Sequence, residues 1–179
     1  PKVISLVNDK PFITYLFEQI IKDGYEEVIL LIGYKGKLVK KCLGSRYKNL
    51  TINYLSEDTP LGTGGAVKNI AKKINYEYLL VINGDTYHNC SRKKLLDKLY
   101  DDNDVILCMH KKNIKRYGLV EIDKNSRVVD MNEKQNHKME GLINIGSYLI
   151  NRQNIANYKD DIFSLEENYF PKRILDKKL

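Results

Sequence analysis

Two short apolar runs constrain this chain more than anything else in it. EEVILLIG ends at Gly33 and YLLVINGD ends at Asp85. Each reads as a strand buried on both faces, the pattern of a parallel sheet covered by helices. Helical patterns lie between and around them. FITYLFEQIIKD, Phe12 to Asp23, brings Phe12, Tyr15, Leu16 and Ile20 near one face, and Gly24 follows as a stop. Lys35 to Leu43 predicts a second helix, Leu50 to Leu55 (LTINYL) alternates like a strand, and Gly65 to Lys73 predicts a third helix. Ser91 can cap a helix running to Asp101, and Asp104 to Met109 is another strand. The repeated β-α rhythm predicts a doubly wound α/β sheet. Beyond Tyr117 the character changes. GLVEID, RVVDMNE and LINIGSYLI are strands, the first two separated by the turn residues Asp123 to Ser126, and they suggest an antiparallel or mixed extension. Ser164-Leu165-Glu166-Glu167 is a capping box opening a C-terminal helix.

With 179 residues and 42% apolar content the chain can bury one sizeable core, so residues 1–179 are expected to form a single domain. The opening residues PKVISLVNDKPF lack the basic lead and apolar core of a signal peptide, and no run approaches the ~20 apolar residues of a membrane helix. No membrane partner is expected. Cys42, Cys90 and Cys108 are odd in number, widely spaced and without a CxxC pair, which argues against disulfides and thiolate zinc and fits a reducing cytoplasm. The net charge of +7 is spread along the chain. The nearest basic cluster, His110 to Tyr117, reads as a solvated loop, so nucleic acid is not an expected partner. His88, His110 and His137 show no ligand spacing and take no role.

In open α/β sheets ligands bind beyond the carboxyl ends of the strands. Asn83-Gly84-Asp85 closes such a strand and would deliver a carboxylate there, with Gly84 leaving room for a ligand; the same residues read equally well as a turn. A hard carboxylate oxygen suits a magnesium ion that keeps waters and bridges phosphates. LGTGGA, Leu61 to Ala66, could merely make a tight turn and a close helix-sheet contact, as isolated glycine clusters usually do; because it follows a strand and opens a helix, its backbone amides can also face an anion or a base edge. It is neither a Walker loop nor GxGxxG. Glu133-Lys134 taken alone reads as a solvated pair at a strand end, whereas Asn144, inside the apolar run LINIGSYLI, is an amide that needs partners.

The ordered set Pro1-Lys2, Val7-Asn8-Asp9-Lys10-Pro11, Glu57 with Pro60 to Ala66, Asn83-Gly84-Asp85, Tyr117-Gly118, Glu133-Lys134 and Asn144-Ile145-Gly146 resembles the sugar-phosphate nucleotidylyltransferases over nearly the whole chain. Within them, GLINIG and FSLEE most resemble the bacterial D-glycero-D-manno-heptose 1-phosphate guanylyltransferases. The resemblance implies a Rossmann-like, doubly wound mixed sheet of the nucleotide-diphospho-sugar transferase type. It also implies a reaction in which a sugar 1-phosphate attacks the α-phosphate of a nucleoside triphosphate, GTP being favoured, with release of pyrophosphate.

Residue by residue, the likeness makes Lys2 the phosphate-contacting lysine of a PKP motif whose second proline is here Val3. Leu61, Gly62, Thr63, Gly64 and Gly65 would hold the base, with Asn83 and Gly84 on the nucleotide side, and Asp85 would be one of two magnesium carboxylates. Glu133 would accept bonds from sugar hydroxyls, Lys134 would meet the sugar phosphate, and Gly118 and Asn144 would line the sugar pocket. The family's GGxGTRL loop and first strand should precede Lys2, and its second metal aspartate should follow Leu179, so the resemblance implies a longer enzyme of about 220 residues. A non-catalytic nucleotide- or sugar-binding module derived from the same fold is the alternative; it does not explain why Asp85, Glu133, Lys134 and Asn144 occur together. Open strand edges would favour self-association into a homo-oligomer.

Overall fold

The computed structural model of the chain describes residues 1–57, 59–112, 114, 118–132 and 140–179. Its contacts divide the chain into two compact units: residues 1–61 with 83–93, and residues 62–82 with 94–179.

The first unit opens with a 3-10 turn, Lys2–Ile4, and a small hairpin of β1 (Leu6–Val7) and β2 (Lys10–Pro11). Asn8 and Asp9 make its turn at φ 47° and 61°, the left-handed conformation that short polar side chains tolerate. Helix α1 (Ile13–Lys22) buries Ile13, Leu16, Phe17 and Ile20. That seam differs from the expected one: Phe12 stands before the helix, and the Tyr15 hydroxyl donates to the Val7 carbonyl at 2.8 Å. Then follow β3 (Glu27–Ile32), α2 (Gly36–Leu43), β4 (Arg46–Tyr47) and β5 (Leu50–Ser56). Strand β5 lies between β3, which it pairs in parallel from Glu27↔Thr51 to Ile32↔Ser56, and antiparallel β4. Leu50 and Ile52 point into the core, as the alternation predicts.

Residues 83–93 return to this unit and are held by a buried ionic contact. Arg92 is 1% exposed, its Nη2 donates to Gln19 Oε1 at 3.2 Å, and its backbone N–H reaches Asp23 Oδ2. Ser91 Oγ donates to the other Asp23 oxygen at 2.8 Å. A helix does start here, as a 3-10 segment, Arg92–Lys98, shorter than expected. In the second unit the Asn103 side chain explains the early stop: it donates to the Lys98 carbonyl and accepts from the Tyr100 N–H, replacing the bonds a longer helix would make.

The second unit contains α3 (Gly62–Ala71), β6 (Tyr78–Ile82), β7 (Val105–Lys112), β8 (Leu119–Ile122), β9 (Val128–Asn132), β10 (Glu140–Asn151), α4 (Arg152–Ala156), a π-helical turn at Leu165–Tyr169, and α5 (Phe170–Leu175). Its sheet is organised on β10. β7 runs along one edge, β6 and β8 share the other, and β9 pairs with β8. All four ladders are antiparallel. For β6 this departs from the parallel expectation, because an apolar run carries no information about strand direction, and burial on both faces is also not reached: only Leu79 of β6 is buried, the other four residues being half-buried. The antiparallel extension after Tyr117 is present as expected.

A buried polar cluster ties α5 to this sheet. Asp104 is 0% exposed; its Oδ2 accepts from Tyr169 Oη and Arg173 Nε, each at 2.8 Å, and its Oδ1 accepts from the Asn151 N–H at 2.7 Å. Burial raises the Asp104 carboxyl above the usual carboxylate range, and the Arg173 guanidinium opposes that shift. Lys68 on α3 is also buried, with Nζ donating to Tyr158 O, Asp160 O and Asp161 Oδ1 at 2.6, 2.9 and 2.7 Å. No helix among the described residues is long and apolar enough to cross a membrane.

Candidate functional site

The residues singled out in the sequence fall in both units. In the first, the 3-10 turn carrying Lys2 closes through Ile4 N–H to Pro1 O and Ser5 N–H to Lys2 O. It seats against Asn83-Gly84-Asp85 through Val3: a Cβ at Gly84 would come within 3.2 Å of Val3 Cγ1. The space left by Gly84 is therefore filled by Val3, the residue that stands in place of a second proline. A turn closes with Thr86 N–H on Asn83 O at 3.3 Å, and the same turn presents Asp85. Lys2 Nζ lies 3.9 Å from Asp85 Oδ2, with side chains 87% and 50% exposed. An exposed pair at that separation adds little to stability. Its two charges are instead accessible to a ligand carrying both signs, such as a metal-bound phosphate.

Among the described residues no three His, Cys, Asp or Glu side chains gather to hold a metal. Asp85 alone fits magnesium in one mode, since that ion keeps several waters and needs one or two carboxylates besides phosphate oxygens. Upstream, Glu57 Oε2 accepts from the Leu61 N–H at 3.5 Å, fixing the entry to the glycine loop.

The rest of that loop belongs to the second unit, and its glycines have a specific neighbour. A Cβ at Gly64 would lie 2.2 Å from the Phe163 ring, and one at Gly62 (φ 75°) would lie 2.5 Å from the Phe163 carbonyl oxygen. The same carbonyl accepts from the N–H groups of Gly64 (2.9 Å) and Gly65 (3.3 Å). It caps the first turn of α3, whose donors would otherwise lack partners, and α3 accordingly begins at Gly62 instead of Gly65. Much of the bare backbone thus admits Phe163, and two of the amides expected to face a ligand are already bonded to it. Thr63 Oγ1 accepts from the Leu165 N–H at 2.9 Å and donates to Glu166 Oε2 at 3.0 Å.

Asn144 sits where β10 departs from regular register. The β7 pairing shifts between Asn144 and Tyr148, and Gly146 adopts φ 69°. The amide finds the partners its burial demands: Oδ1 accepts from the Gly146 N–H at 2.9 Å, and Nδ2 donates to Tyr148 Oη at 3.0 Å. Tyr148 Oη donates in turn to Glu166 Oε1 at 2.9 Å. Gly118 is exposed and precedes β8, whose Leu119 pairs with Ile143 beside Asn144. Glu133, Lys134 and Tyr117 lie outside the described residues.

Glu166 is the participant that motif reading missed. SLEE reads as a capping box, and Ser164 Oγ does accept from the Glu167 N–H. The reciprocal bond to the Ser164 N–H comes from Asn168 Oδ1 at 2.8 Å, and Glu166 faces inward. A second acid in a box that needs only one was the available signal.

The chain belongs to the nucleotidyl transferase family, whose model matches residues 1–178. It is 36% identical over 181 residues to the D-glycero-α-D-manno-heptose 1-phosphate guanylyltransferase of Aneurinibacillus thermoaerophilus, covering 99% of this chain and 78% of that one. Its structure is similar to the crystal structure of HddC from Yersinia pseudotuberculosis, with a TM-score of 0.89 and 34% identity over 96% of this chain and 76% of HddC. The same protein complexed with GMP-PN gives a TM-score of 0.87. The Rossmann-like mixed α/β fold is thereby shared.

Proposed function

We propose that this chain transfers a guanylyl group from GTP to a heptose 1-phosphate, giving a nucleotide sugar and pyrophosphate. An oxygen of the sugar phosphate forms a bond to the α-phosphorus as the bond to the pyrophosphate oxygen breaks. Such a step needs positioning and charge compensation more than covalent help from the protein. The observation that carries the proposal is the Lys2–Asp85 pair, exposed and 3.9 Å apart. Lys2 would offset charge on the triphosphate. Asp85 would hold magnesium, which when bound supplies Lewis-acid polarisation of the phosphate oxygens. Leu61, Gly62 and Thr63, with Gly64 and Gly65 behind them, would receive the base, and Asn83 and Gly84 the nucleotide. Gly118, Glu133 and Asn144 would receive the sugar, and Lys134 its phosphate. The names of the guanylyltransferase relative and of the GMP-PN complex support guanine and heptose.

The test is pyrophosphate release from GTP and D-glycero-D-manno-heptose 1-phosphate in magnesium. Asp85→Asn should lower kcat by about 100-fold or more, the scale of losing one electrostatic contact to developing charge, with the melting temperature unchanged because the pair is exposed. Unaltered turnover in Asp85→Asn would remove the metal role.

A further inference from the structure

Four residues of the second unit form one hydrogen-bonded line between the glycine loop and the sheet. Gly146 N–H donates to Asn144 Oδ1, Asn144 Nδ2 to Tyr148 Oη, and Tyr148 Oη to Glu166 Oε1. The other carboxylate oxygen of Glu166 accepts from Thr63 Oγ1 and, at 3.2 Å, from Ser164 Oγ. The direction of every bond follows from one end. Tyr148 gives its phenolic hydrogen to Glu166 Oε1 and is left to receive the Asn144 amide hydrogen. Asn144 Oδ1 is thereby turned toward Gly146, and the flipped amide would set two donors face to face.

We propose that Glu166 is a positioning residue that couples the nucleotide loop to the sugar-binding amide, a role that rests on the guanylyltransferase reading. One oxygen fixes Thr63 in the loop, and the other, through Tyr148, fixes which face Asn144 offers to a hydroxyl. Glu166 touches neither substrate. Ordering Thr63 on nucleotide binding therefore favours the Asn144 orientation that the sugar needs, and the reverse holds by linkage.

The coupling is read by calorimetric titration of GTP into the wild-type chain, Asn144→Ala, Glu166→Gln and the double variant. Asn144 faces the sugar, yet its loss should weaken GTP binding about threefold in the wild type and leave it unchanged once Glu166 is glutamine, as residues of one network couple. Tyr148→Phe keeps the ring packed 4.9 Å from that of Phe170 and removes only the hydroxyl. It should abolish the Asn144 effect in the same way, which keeps the test open if Glu166→Gln fails to fold. A purely structural Glu166 would lower the melting temperature while leaving the Asn144 effect on GTP the same in both backgrounds, or absent from both; either outcome overturns the proposal. GTP binding with no pyrophosphate release from the heptose phosphate would refute the transfer reading and leave the coupling to be decided by these affinities. Absence of GTP binding by the wild type would overturn both.

Discussion

Replacing Gly64 with alanine separates two reasons for a glycine at that position. The added carbon would stand 2.2 and 2.3 Å from two atoms of the Phe163 ring, well inside contact distance. The ring cannot swing clear, because Phe163 is 5% exposed and its centroid lies 4.3 Å from that of Tyr158. Forcing a methyl into such a site costs about 1–3 kcal/mol. Displacing Phe163 also strains its carbonyl bonds to the Gly64 and Gly65 amides, at about 1 kcal/mol each. Alanine returns up to ~1 kcal/mol of helix propensity, so the net loss should be about 2–3 kcal/mol, read as a lower urea midpoint. Phe163→Ala alone should cost about 3–5 kcal/mol, and the double variant should fall short of the sum by about 2 kcal/mol, since the clash disappears with the ring. If Gly64→Ala unfolds within about 0.5 kcal/mol of the wild type yet no longer binds GTP, the glycine serves a ligand and the packing explanation is wrong.

Three further outcomes follow from buried or partnered groups. Asp104→Asn places an amide against the Arg173 guanidinium and leaves that buried cation uncompensated, so stability should fall by about 3–5 kcal/mol in chemical denaturation; a loss under 1 kcal/mol would show the cluster to be dispensable. The Asp161 carboxyl is held below the usual range, first by its hydrogen bond from Lys68. A lowered folded value means that its stabilisation is present above the unfolded value and is lost as pH falls. The melting-temperature difference between wild type and Asp161→Asn should therefore shrink below about pH 4. Burial pushes the Cys108 thiol up to about 12, whereas Cys42 is exposed, so iodoacetamide at pH 8 should label Cys42 in the native chain and spare Cys108, as mass spectrometry would show.

Local patterns made much of the fold legible. Apolar runs located β3 and β6, helical spacing located α1, alternation located β5, and the turn residues and polar loops between them set off β8, β9 and β10. What escaped were relations across the sequence. The α1 seam follows what the first unit packs against it, which periodicity leaves open by half a turn. The glycine loop announced that something approaches closely, but naming Phe163 required knowing which segment returns there. Thr63 and Glu166 are 103 residues apart, so their bond leaves no local trace beyond an extra acid after Ser164. Asn144 was the exception. A polar amide in an apolar strand must find partners, and both of its partners lie within four residues, at Gly146 and Tyr148.

The central place of β10 has a consequence for how the protein is made. Among the described residues β6 and β7 pair with β10 and with no other strand, and β10 is Glu140–Asn151 of a chain of 179. A ribosome delivers β6 to β9 first, and only β8 and β9 can then zip together as a hairpin. Until Asn151 has been synthesised, neither β6 nor β7 has the partner it pairs with among the described residues. Nascent chains of the second unit therefore need protection longest where YLLVI and VILCM are already exposed. An arrest of translation just before Glu140 would yield fragments that associate with one another, whereas an arrest just after Asn151 would release chains in which β6, β7 and β8 have β10 to pair with.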